Sequence, residues 1–244
     1  MSTKLYIIRH GETYKNDLKN RRNSSVINID GSNKVDKIDK IDKIDKIDKI
    51  DKIDKVDKAE KNKSDLSSLL IIDKNCKLNQ TGKIQSNIVG DYLSDAKIVI
   101  SAVYSSPLLR AVETADIVTK HLGNCTSDVE VEFIVDDRLF SGKKDKVMSK
   151  EHLTHDILEL LNEIVVQYEG KNILIVTHNH IIDIIGNIIN ETDGQMNQNS
   201  KAENCSISCV DLIHKYDENM ESNKIDTMKI LSWCKKIKVS YELI

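Results

Sequence analysis

Four side chains in this sequence are of the kinds that bind and attack phosphorus, and each stands at or just beyond the end of an apolar run. Arg9 and His10 close Leu5-Tyr6-Ile7-Ile8; Ser105 and Ser106 close KIVISAVYS, with Arg110 one helical turn further on; His178 closes NILIVT. Arginine presents a planar fork of donors that matches phosphate oxygens two at a time and stays charged at any useful pH. Imidazole adds what arginine lacks, a nitrogen nucleophile that is largely neutral near pH 7. Two arginines and two histidines brought together would therefore hold a phosphoryl group and attack it. Taken singly, each has an ordinary alternative, since strands end in polar residues and a lone histidine is commonly a hydrogen-bonded core residue.

The elements that must position them read as an α/β chain. Apolar runs of strand length alternate with segments of helical period, the pattern of a mostly parallel sheet with helices on both faces, a three-layer sandwich. Open sheets of this kind place ligands at the carboxyl edge of their strands, which is where all four residues would fall. The first strand spans Lys4 to Ile8 and leads, after an intervening segment, to a helix over about Thr81 to Leu93 with Ile84, Ile88 and Tyr92 on one face. The second, Lys97 to Ser105, is followed by a helix from Pro107 to His121, with Gly123 as its stop. The third, Val129 to Val135, alternates like an edge strand and leads to a helix from Lys150 to Tyr168 that ends at Gly170. The fourth, Asn172 to Thr177, precedes a helix from His180 to Asn190, and extended stretches at Ser206 to His214 and Met228 to Ser232 finish the sheet.

The 244 residues carry a formal net charge of −3 and are 39% hydrophobic, enough for one sizeable core. The charge balance argues against nucleic acid as a partner, and no run approaches the roughly 20 apolar residues of a membrane span. No signal peptide is legible, so the expected location is the cytoplasm. The 5 cysteines, Cys76, Cys125, Cys205, Cys209 and Cys234, include no C-x-x-C pair and read as free thiols. His152 and His155 read as residues of an exposed helix start rather than as metal ligands. From Lys34 to Asp57 run eight K-(I/V)-D triplets. Their period of three builds an apolar face in neither helix nor strand, so a solvated, disordered insert at about 30–64 is expected within a single domain spanning 1–244.

Longer stretches around these residues resemble the histidine phosphatase superfamily, the phosphoglycerate mutase-like proteins. Arg9-His10-Gly11-Glu12-Thr13 with Asn16 is similar to the R-H-G-E-[ST] signature and its downstream Asn; LNQTGKIQS from Leu78 to Ser86 is similar to L-[ST]-x-x-G-x-x-Q-A. YSSPLLRAVETA from Tyr104 to Ala115, ILIVTHNHII from Ile173 to Ile182 and ENCSIS from Glu203 to Ser208 match three further segments in order. The resemblance implies His10 as a nucleophile that becomes a phosphohistidine, with Arg9, Arg110 and His178 holding the phosphoryl oxygens and no metal or cofactor. It also implies a substrate-binding surface of Gly11, Thr13, Asn16 and Asn179. Gly11 would let the backbone turn sharply toward the phosphate, while Glu12 and Thr13 either cap the next segment or meet the substrate.

The chain departs from that pattern at the proton donor. Ser141 in DDRLFSGK stands where many members carry a glutamate, and Asn179 stands where another branch carries an aspartate after its second histidine. Asp136, Asp137 and Asp145 are neighbours able to substitute, and His180 either touches substrate or starts a helix. Lys15 replaces the tryptophan of phosphoglycerate mutases, and the single proline, Pro107, leaves no proline-rich segment. The expectation is a metal-independent phosphatase acting on a phosphomonoester, a small phosphorylated metabolite or a phosphoprotein. A 2,3-bisphosphoglycerate-dependent mutase and a non-catalytic phosphate-binding scaffold are the alternatives. The sequence sets no oligomeric state.

Overall fold

The computed structural model describes residues 2–14, 16, 76–122, 131–140, 150–193, 201–217 and 222–237. The K-(I/V)-D tract, Ser141, Asp145, Gly123 and Cys125 lie outside the described residues. Strands β1 (Ser2–Arg9), β2 (Ile100–Ser105), β3 (Glu132–Val135), β4 (Asn172–Thr177), β5 (Ile207–Asp217) and β6 (Ser222–Lys235) form one sheet in the order β3-β2-β4-β1-β5-β6. β3, β2, β4 and β1 run parallel, whereas β5 and β6 pair antiparallel. The helices are α1 (Gln80–Asp95), α2 (Leu109–Leu122), α3 (Lys150–Gln167) and α4 (Asn179–Asp193), with a 3-10 turn at Asp137–Leu139. No helix among the described residues is long and apolar enough to cross a membrane.

Strand alternation sends successive side chains to two cores. Leu5, Ile7, Ala102, Tyr104, Ile173 and Ile175 pack beneath α3 and α4, while Ile8, Val103, Leu174 and Val176 pack beneath α1 and α2. Ile100 joins Val103 on the second face, three residues apart, because the β2–β4 register slips between Ile100 and Ala102. β2 is also shorter than the expected Lys97 to Ser105: Lys97, with φ 53°, sits in the preceding turn. β3 is the sheet edge, as its alternation predicts, and Phe133 on it is exposed.

Two sequence expectations need correction. On α1 the buried face is Gly82, Ser86, Val89, Gly90 and Leu93, whereas Ile84 is 51% exposed. Small residues, rather than the largest apolar ones, carry that contact, because the helix backbone lies close to its neighbours: a Cβ on Gly90 would meet the His121 ring at 2.6 Å. The last two strands are also much longer than their apolar stretches, since they form a hairpin whose ladder continues through charged residues such as Lys215 and Lys224. Gly170, with φ +70°, ends the approach to β4 as expected of a residue past a helix stop.

Candidate functional site

Strand register brings the four candidates to one edge. Arg9 on β1 lies opposite Thr177 on β4, and Ser105 on β2 lies opposite Val176. The main chain continues this alignment past the strands, with His10 N–H donating to Thr177 O at 2.9 Å and Ser106 N–H to Val176 O at 3.0 Å. The residues that follow Arg9, Thr177 and Ser105 are thus His10, His178 and Ser106. Arg110 arrives on the first turn of α2, which starts just past the end of β2.

His10 and His178 are both buried, with ring centroids 5.0 Å apart. His10 Nδ1 lies 2.7 Å from Gly11 O. A carbonyl only accepts, so Nδ1 carries the proton and Nε2 keeps its lone pair. His178 Nε2 lies 2.8 Å from Ser106 Oγ, which itself accepts from Leu108 N–H. Burial first, then the charge of Arg110, pushes His10 down to about 3; burial, then His10, Arg110 and Arg9, pushes His178 down to about 2. Arg9 is likewise lowered by burial and by Arg110. Cationic repulsion within one buried cluster is the physical signature of a place that favours an anion.

Among the described residues, Arg9 Nε, His178 Nδ1, Asn179 Oδ1 and Ser206 Oγ are buried without a hydrogen-bond partner; Asp211 Oδ1 is the fifth such atom. Buried polar atoms are rarely unpaired, and four of the five belong to the end of β1 and β4 or the entry to β5. Three of these four, Arg9 Nε, His178 Nδ1 and Ser206 Oγ, are of kinds able to donate, and Asn179 Oδ1 accepts.

The segment before β5 clamps this corner. Arg9 Nη1 donates to Ala202 O at 2.7 Å, Arg9 N–H to Ser206 O, Cys205 N–H to Arg9 O, and Asn204 Nδ2 to His10 O at 2.9 Å. On the other side, Gly11 N–H donates to Thr114 Oγ1 at 3.0 Å, and Thr114 Oγ1 donates to Arg110 O. Thr114 thereby sets the spacing between the His10 loop and the helix carrying Arg110. Sequence reasoning placed Thr114 and Asn204 inside family-like segments without giving either a task; only the long-range contacts reveal it.

Gly11 is a correction. Its φ is not positive; what it requires is proximity, because a Cβ there would lie 2.6 Å from Gly82 O. Glu12 does not cap the segment after it but reaches the start of α1, where Oε1 accepts from Asn79 Nδ2 at 2.9 Å and its N–H donates to Gln85 Oε1. Thr13 and Asn16 bond to each other, Thr13 Oγ1 donating to Asn16 Oδ1 at 2.9 Å, and Asn16 N–H bonds back to Thr13 Oγ1, which is the capping alternative. Asn179 Nδ2 donates to Asp183 Oδ2 at 2.7 Å on the first turns of α4, and His180 starts that helix exposed.

Asp136 is not placed as a proton donor. Burial raises its pKa, but hydrogen bonds and charge from Arg138 outweigh burial and hold it lowered. Its Oδ2 lies 2.8 Å from Arg138 Nη2, which also reaches Glu163 at 2.6 Å. His155, Asp156 and Glu159 lie together on α3, while His155 and Glu159 are exposed, so His152 and His155 occupy the exposed helix start expected of them. Cys76, Cys205, Cys209 and Cys234 are free thiols.

The model of the histidine phosphatase superfamily (branch 1) matches residues 61–140 and 137–223, more than half of the chain. The match begins beyond β1, so Arg9 and His10 join the remaining site residues through sheet register. No curated protein sequence matches the chain. Among solved structures it is similar to phosphoglycerate mutase from Bacillus anthracis str. Sterne, at 16% identity and TM-score 0.56 over 96% of this chain and 94% of that one. It is also similar to mycobacterial hydrolase 2, at 14% identity and TM-score 0.55 over 98% and 94%. A third is a mycobacterial glucosyl-3-phosphoglycerate phosphatase complexed with VO3, at 15% identity and TM-score 0.51 over 94% and 98%.

Proposed function

The chain belongs to the histidine phosphatase superfamily, and on that premise we propose that it is a phosphatase hydrolysing a phosphomonoester through a phosphohistidine on His10. The supporting observation is the buried pair His10 and His178, 5.0 Å apart, within the fields of Arg9 and Arg110. His10 Nε2, left with its lone pair by the Nδ1–H bond to Gly11 O, attacks phosphorus. Ser106 Oγ gives its own proton to His178 Nε2, so that His178 Nδ1 carries a proton for a phosphoryl oxygen. Arg9 and Arg110 neutralise the equatorial oxygens, the part of phosphoryl transfer that depends on the protein most. Water then hydrolyses the phosphohistidine.

The substrate class in this reading is a small phosphorylated metabolite. One structural neighbour is a glucosyl-3-phosphoglycerate phosphatase complexed with VO3, and an oxyanion ligand accords with an anion pocket of this make-up. Rapid mixing with p-nitrophenyl phosphate followed by an alkaline quench retains phosphohistidine, and acid then releases it. The label is expected on wild type and absent from His10→Ala. Turnover that survives His10→Ala overturns the mechanism.

A further inference from the structure

We infer that Asn204 is a positioning residue for the attack on phosphorus: with Thr114 it locks the His10–Gly11 peptide plane from both sides and so aims His10 Nε2. This rests on the phosphatase reading above. The plane carries two hydrogen-bonding groups, and each has a side-chain partner from a distant part of the chain. His10 O accepts from Asn204 Nδ2 at 2.9 Å, and Gly11 N–H donates to Thr114 Oγ1 at 3.0 Å. The peptide is trans, so these groups point in opposite directions and the two bonds together oppose rotation of the plane.

The direction of each bond is fixed by chemistry. A carbonyl only accepts, so the Asn204 atom facing His10 O is the amide nitrogen. Thr114 Oγ1 spends its proton on Arg110 O at 2.7 Å, one turn back in α2, which leaves it a lone pair for Gly11 N–H. On the other side of the His10 Cα, His10 N–H donates to Thr177 O at 2.9 Å. The Cα–Cβ bond of His10 is thus set jointly by β4, by α2 and by the segment before β5. From that bond the ring needs only its own two torsions to bring Nδ1 to Gly11 O, which leaves Nε2 aimed in one direction.

Asn204 reaches this place through a strained turn. Ser206 N–H closes the turn onto Glu203 O at 3.0 Å, and Cys205, between Asn204 and Ser206, adopts a left-handed φ of 54°. A residue with a side chain seldom adopts this backbone and keeps it where the surroundings over-determine it. Here they do. Cys205 N–H donates to Arg9 O at 3.0 Å, while its buried Sγ lies 3.7 Å from Ser86 Oγ on α1. One turn thereby supplies donors to the carbonyls of both Arg9 and His10.

The test separates aim from binding. First-turnover formation of phosphohistidine from p-nitrophenyl phosphate, measured by rapid quench, is expected to fall about 10-fold or more in Asn204→Ala. Competitive inhibition by inorganic phosphate, which needs no bond to His10, is expected to stay within about 2-fold. Thr114→Val should be similarly slow, and the double variant should lose no more than about 3-fold beyond the slower single, since either loss alone frees the plane. Glu203→Ala removes the contact of Lys236 with the same turn and should keep the wild-type rate within about 2-fold. Asn204→Asp, which keeps the shape without the donor, takes the place of Asn204→Ala if that protein does not fold. An unchanged rate in the Asn204 variant, an equal loss in Glu203→Ala, weakened phosphate inhibition in Asn204→Ala, or single losses that multiply in the double variant overturns this inference alone. Absence of label from wild type overturns the phosphatase reading and this inference with it.

Discussion

Gly11 and Gly82 meet backbone to backbone: a Cβ on Gly11 would stand 2.6 Å from Gly82 O, and one on Gly82 would stand 2.1 Å from Glu12 O. The glycine after His10 and the glycine of a motif some seventy residues away are therefore two halves of one contact. Neither is explained by local conformation.

Gly82→Ala is consequently expected to cost about 1–3 kcal/mol or more, because no flexible side chain is available to give way. Gly170→Ala, with φ +70° and nothing within 4 Å, should cost about 1 kcal/mol through backbone conformation alone. Urea denaturation of both checks the order. Only Gly82→Ala should also reduce phosphatase turnover, since its contact positions His10.

The two buried histidines set an acid dependence. Their folded values, about 3 and about 2, lie below the ordinary value near 6.5, so between these limits the unfolded chain binds more protons. Their contribution is complete above pH 6.5 and is lost as pH falls toward 3. The expected slope is on the order of 1 kcal/mol per pH unit for each histidine. Denaturation midpoints between pH 7 and 4 should flatten in His178→Gln. An unchanged slope would show that other groups govern acid stability.

Ser106→Ala removes the hydroxyl bonded to His178 Nε2. The imidazole then has no fixed tautomer, and a buried ring nitrogen loses its partner, at a cost of about 1–3 kcal/mol. Turnover is expected to fall about 10-fold or more with Ser106→Thr partly restoring it. Equal activity in all three proteins would remove Ser106 from the mechanism.

The K-(I/V)-D tract is proposed to be an insertion in one domain. Thr13 pairs with Leu78 as a β-bridge, and Asn79 N–H bonds Glu12 O at 3.0 Å, so the chain ends flanking it are joined by their own contacts. Deleting Lys34 to Asp57 should leave the melting temperature and turnover of p-nitrophenyl phosphate unchanged, as calorimetry and a rate assay would report. A large fall in melting temperature would show that the tract is part of the core.

The fold was legible where burial on both faces makes a continuous apolar run. NILIVT reads as Asn172–Thr177, and that is the strand. It was less legible where packing uses small residues: Gly82, Ser86 and Gly90 bury the face of α1 that periodicity assigned to Ile84 and Ile88, and no hydrophobic pattern records them. The candidate site was readable as residue types at strand ends, because a parallel sheet turns that local feature into spatial convergence. Its supports were not. Thr114, Ser106 and Asn204 act through bonds to residues distant in sequence, and Asp136 looked available only until Arg138, two residues on, was seen to hold it.

β1 is made before both of its neighbours in the sheet. It lies between β4 and β5, and its Arg9 and His10 are clamped by residues 202–206. During synthesis at about 5–20 residues per second, this apolar strand leaves the ribosome many seconds before either neighbour exists. Until then both its edges are open to other strands, a hazard for aggregation, and every truncation before β5 lacks the clamp on Arg9 and His10. Assembly of the site thus waits for residues 202–206, and a nascent chain cannot hold Arg9 and His10 in this arrangement before they have been made.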